Sequence, residues 1–142
     1  MPSQAAVPIY ENGSTTWTYV GEVVIVAHRR GALAESGFDQ FHNSLEARTG
    51  TKAIIVLAHD SPPGPGQRAA IQKWFLRTKA RGAVLTDSLL ARGGVTALSW
   101  FRVPIAAFAR TQFDAALDFV RVSVANRTDA HAVLVRLERE SR

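Results

Sequence analysis

Three consecutive residues, His59, Asp60 and Ser61, carry the side chains of a hydrolytic triad. A serine nucleophile needs a histidine to take its proton and a carboxylate to orient that histidine. Neighbours in an extended segment point to opposite sides, so adjacency alone does not bring the three together. His28, at the end of another apolar run, is placed to approach them in space. Asp60 and Ser61 are equally well explained as loop residues that bond their own backbone. Catalysis is therefore not expected, and neither a catalytic residue nor a cofactor is assigned.

A second group has the composition of an anion site. Gly64, Gly66, Gln67 and Arg68 lead into a helix, where free N–H groups and the helix dipole favour negative charge. The run lacks the Gly-Lys-Ser/Thr of a P-loop and the full dinucleotide fingerprint. A glycine turn that redirects the chain accounts for it as well. Asp87 and Ser88 close another strand, with Arg92 one turn on. With Asp60 they would form a polar cleft at the strand ends, the edge that ligands favour in open α/β sheets. Otherwise they are a helix cap and a solvated arginine. Trp74 and Trp100 fall on apolar helix faces and are expected in the core. Metal ligation through a helical pair is not expected at His42 or His131. No two carboxylates are spaced for acid–base work.

These residues hang on an alternation of strands and helices. Thr15–Val20 and Glu22–His28, punctuated by Gly21, read as antiparallel strands, and Asn12-Gly13 is a turn signal before them. Glu35–Arg48 reads as a helix with Phe38, Phe41 and Leu45 on one face. Ala53–Leu57 is a continuous apolar run that suits a central strand. The spacing predicts a helix over Gln67–Ala80 ended by Gly82, and a strand over Ala83–Thr86. Asp87 or Ser88 caps the next helix, which contains Gly93 and Gly94. Val103–Ala109 follows as a strand, and Pro104 marks it as an edge. Thr111 is expected to cap a helix carrying Phe113, Ala116, Leu117 and Val120. In residues 126–142 a helix start at Thr128-Asp129 competes with strand-like alternation of Val133, Val135 and Leu137, and a helix is preferred. The fold expected is α/β, a mixed four- to five-stranded sheet with an N-terminal hairpin and alternating helices. Residues 1–9 are expected to be flexible, 10–125 to form the domain, and 126–142 to extend it.

Composition narrows the function classes. The chain has 142 residues and no cysteine, which excludes disulfide scaffolds, thiolate metal sites and cysteine catalysis. Its 17 basic and 12 acidic residues give a net charge of +5. The basic residues are scattered, with Arg29–Arg30 the one adjacent pair, so no specific nucleic-acid partner is expected. The opening residues lack the pattern of a secretory signal and no run approaches the roughly 20 apolar residues of a membrane helix. A cytoplasmic protein without membrane insertion is expected.

The order of elements resembles the STAS domain, and more closely its SpoIIAA-like branch of small bacterial proteins. The likeness rests on Gly21–Ala27, on Ala53–Leu57 with the Pro-rich loop to Gln67-Arg68, on Ala83–Ser88 followed by Arg92–Trp100, and on Ile105–Phe108 before Ala115-Ala116-Leu117. It covers roughly residues 15–122. The resemblance implies a non-enzymatic regulatory or scaffolding module that docks on another protein through residues 60–79, and allows a homodimer. In that family a serine at the start of the helix after the second parallel strand is a phosphorylation switch. Here Ser61 stands six residues before Gln67, which points to constitutive docking instead. A small-ligand domain for a nucleotide, phosphate or lipid, using the strand-end cleft, is the alternative. The chain is short for enclosing a lipid as the related SEC14-like domains do.

Overall fold

The computed structural model describes residues 9–12, 15–29, 35–59, 65–99 and 102–141. Among these residues six strands form one mixed sheet: β1 (Ile9–Asn12), β2 (Thr15–Val20), β3 (Val23–His28), β4 (Ala53–Leu57), β5 (Arg81–Leu85) and β6 (Ile105–Phe108). The five strands expected from the sequence are present, and β1 adds a sixth at the outer edge. β1, β2 and β3 pair antiparallel, with Asn12 opposite Thr15 and Val20 opposite Val23. β3 to β6 pair parallel. The order across the sheet is the order along the chain.

Among the described residues five helices cover the two faces: α1 (Glu35–Ala47), α2 (Pro65–Thr78), α3 (Leu89–Ser99), α4 (Phe113–Phe119) and α5 (Val124–Glu140). The period of two along each strand sorts side chains between the layers. Val23, Ile25, Ala27, Ile55, Leu57 and Leu85 meet Leu117, Leu134 and Leu137 of α4 and α5. Trp17, Val24, Val26 and Ile54 meet Phe41 and Leu45 of α1 and Trp74 and Phe75 of α2. β3 and β4 are thus covered on both sides, which is why they read as unbroken apolar runs.

The segment expected as a C-terminal extension is instead part of the core. Ala130, Val133, Leu134 and Leu137 of α5 are buried, at helical spacing, and Val135 is exposed. Helix wins over strand there because burial follows the 3.6-residue period. Two helix-boundary expectations also change. Thr111 is not the cap of α4; Gln112 holds that position without a side-chain cap bond. Gly82 does not end α2 but lies within β5, where a Cβ would fall 2.7 Å from the Phe75 ring. Ser88 is the cap expected of it: its Oγ accepts the Ala91 N–H at 3.2 Å. Gly93 faces open space, so no close approach to the sheet accounts for it.

α2 stops at Thr78 and Lys79 follows in the left-handed region, with φ 61°. Arg102, at φ 64°, and Arg121, at φ 61°, take the same conformation after α3 and α4. Glycine is the usual occupant of such positions. A side chain there costs about 1–2 kcal/mol, whereas a cation near a helix C-terminus returns about 0.3–1 kcal/mol. Attraction to the helix end does not fully offset the strain.

Candidate functional site

The residues singled out in the sequence fall into two sets. Asp60, Ser61, Gly64 and Trp100 lie outside the described residues. The others are largely engaged in local structure. Asp87 Oδ1 accepts the Arg110 backbone N–H at 3.1 Å, and Ser88 caps α3. Arg92 donates to the Thr86 carbonyl through Nε at 3.3 Å and Nη2 at 3.2 Å. Gly66, Gln67 and Arg68 sit in the first turn of α2, with open space around Gly66. The sequential strand order bears on the cleft expected at the strand ends. Such crevices open where strand order reverses and adjacent connections leave on opposite faces. Here α1, α2 and α3 all cross on one face, so no reversal separates them.

His28 does approach His59, because β3 and β4 are neighbours with Ala27 opposite Leu57. Burial, with the nearby His59 adding to it, pushes the His28 imidazole down to about 4. His28 is therefore neutral at pH 7, with Nδ1 3.2 Å from Thr15 Oγ1. His59 Nε2 donates to the Ser141 carbonyl at 2.6 Å, so that nitrogen is not free to accept a proton from a serine. His42 has a partner that the sequence reading passed over: Glu46 stands one turn on, 3.4 Å away. Arg77 of α2 also pairs with Glu46 and holds its carboxylate below the ordinary range. This pairing clips α1 to α2 at the surface, where solvent screens it. Among the described residues no group of three or more histidines and carboxylates is placed to hold a metal.

The site that the structure adds lies between α1, α2, α3 and the sheet. A cavity of about 140 Å³ opens beneath α2. Ile54, Val56 and Val84 form its floor, Phe41 and Ile71 its walls, and Ala91 and Val95 close it from α3. Among the described residues, His28, His42 and Arg68 are the ionisable side chains on its lining. α2 packs on the sheet through Trp74 and Phe75, both buried, while Arg68 and Ala69 nearer its start are exposed. Seven elements contribute to the lining, and no short stretch of sequence announces it.

Comparison of the chain with protein-family models, with curated proteins and with solved structures finds no match. No described helix is long and apolar enough to cross a membrane.

Proposed function

We propose that this domain is a non-enzymatic binding module whose cavity beneath α2 takes a small, largely apolar molecule. The cavity itself carries the proposal. At about 24 cal/mol per Å³, leaving such a volume empty forgoes about 3 kcal/mol of packing, a sizeable part of a domain's net stability. An apolar cavity of about 150 Å³ stays dry and takes up benzene, so a single aromatic ring is the right size. Arg68 and the two histidines offer polar contacts at the lining, which favours a ring carrying one acceptor.

The test is thermal unfolding with benzene, indole and phenol as probes. A probe at 100-fold its Kd should add about 2.7 kcal/mol of stability. Ala91→Leu fills the cavity from α3 and should abolish that gain without lowering the unfolding midpoint. No stabilisation by any of the three probes, or equal stabilisation of Ala91→Leu, would count against the cavity as a site.

Docking of another protein through α2 is the alternative, in keeping with the STAS-like order of elements. It is favoured by Leu76, which is 44% exposed on the outer side of α2 beside exposed Lys73 and Arg77. Leu76→Asp should then remove a partner captured by the intact protein and leave probe uptake by the cavity unchanged.

A further inference from the structure

At the edge of the sheet where the parallel strands begin, away from the cavity, four cations surround an open depression of about 350 Å³. They are Lys52, Lys79, Arg81 and Arg121, and Glu22 is the one carboxylate on its lining among the described residues. The backbone brings them together. Lys52 N–H donates to the Glu22 carbonyl at 2.8 Å, and Arg81 N–H donates to the Lys52 carbonyl at 3.1 Å. Arg81 is then fixed against α4. Its Nε donates to the Phe119 carbonyl at 2.7 Å, and its guanidinium lies 4.5 Å from the centre of the Phe119 ring.

None of the four cations forms an ion pair among the described residues. The C-terminal ends of α2 and α4 also point at this edge, each equivalent to at most roughly half a negative charge. Together with Glu22 they leave the depression clearly positive. Lys79 and Arg121 hold left-handed backbone at its rim, where glycine would relieve the strain. Strain retained at a site points to a use for the side chains that bear it.

We propose that this depression binds a compact, multiply charged phosphate group. A pinned guanidinium supplies a planar donor fork and the lysines supply mobile point charges, the combination suited to phosphate oxygens. The volume is large enough for two linked phosphates and too open to enclose an apolar body.

Calorimetric titration with inorganic pyrophosphate at constant ionic strength tests this. The intact protein should bind one equivalent saturably. Lys79→Gly/Arg121→Gly removes two charges while suiting the left-handed backbone, and should weaken binding at least tenfold with an unchanged or higher unfolding midpoint. Arg136→Gln/Arg139→Gln removes the same charge from exposed positions on α5 and should leave binding within twofold. Lys52→Gln gives an independent reading and should weaken binding severalfold. Absence of saturable binding by the intact protein up to 10 mM pyrophosphate would overturn the proposal. So would an equal loss in the α5 control, which would mean attraction by net charge alone.

Discussion

Arg110 and Glu138 form a buried ion pair in which Arg110 Nε donates to Glu138 Oε2 at 3.1 Å. The rest of the guanidinium is satisfied too: Nη1 donates to the Ala58 carbonyl at 3.0 Å and Nη2 to Ser141 Oγ at 2.7 Å. A residue just past β6 thereby ties the end of β4 to the end of α5. Removing one partner of such a pair leaves a buried charge uncompensated, which costs about 3–5 kcal/mol. Glu138→Ala is therefore expected to destabilise by that amount in urea unfolding. Arg110→Met/Glu138→Leu together should recover most of the loss, because the pair's net worth over an apolar replacement is small.

His28 sets a pH dependence. Its imidazole titrates near 4 in the folded protein and near 6.5 when unfolded. Between those values the unfolded chain binds a proton that the native one does not, so stability is full above about 6.5 and falls as pH drops. The full window is worth roughly 3 kcal/mol. Urea midpoints measured from pH 7 down to pH 5 should fall less steeply for His28→Gln than for the parent. Parallel slopes would mean that His28 charges without cost.

The two faces of α5 should respond differently to truncation. Leu134 is fully buried, and Leu134→Ala is expected to cost about 2–5 kcal/mol. Val135 is 41% exposed, and Val135→Ala should change stability by less than about 0.5 kcal/mol. Comparable losses at both positions would contradict the packing described for this helix.

Thr51 stands just before β4, buried, and its Oγ1 has no hydrogen-bond partner among the described residues. A buried hydroxyl without a partner costs about 1–3 kcal/mol. Thr51→Val keeps the shape and removes that group, so it should raise stability by about 1 kcal/mol in the same unfolding measurement.

The central strands were legible because burial on both faces writes itself as an unbroken apolar run, as in Val23–Ala27 and Ala53–Leu57. Pro104 marked an edge correctly, since β6 ends the sheet. α5 was ambiguous because Val133, Val135 and Leu137 alternate, and only packing shows that Leu134 is inside and Val135 outside. β1 was missed: four residues paired to one neighbour leave too short a pattern. The end of α2 was misplaced at Gly82 because the left-handed residue is Lys79, a type that carries no such signal. The candidate sites were the least legible. The cavity lining is spread from position 26 to position 105, and the cations that converge on one depression are spread from position 52 to position 121.

α5 packs chiefly against β2, β3 and α4, so a segment synthesised after all six strands covers strands made well before it. While the chain is still on the ribosome, Val23, Ile25, Ile55 and Leu57 have their side of the sheet uncovered by α5 until residues 130–137 emerge. A nascent chain halted before Val124 would hold all six strands and α4 but leave β2 and β3 without their α5 cover. Such a fragment exposes apolar surface of the kind that chaperones bind, although every strand of the sheet has already been made.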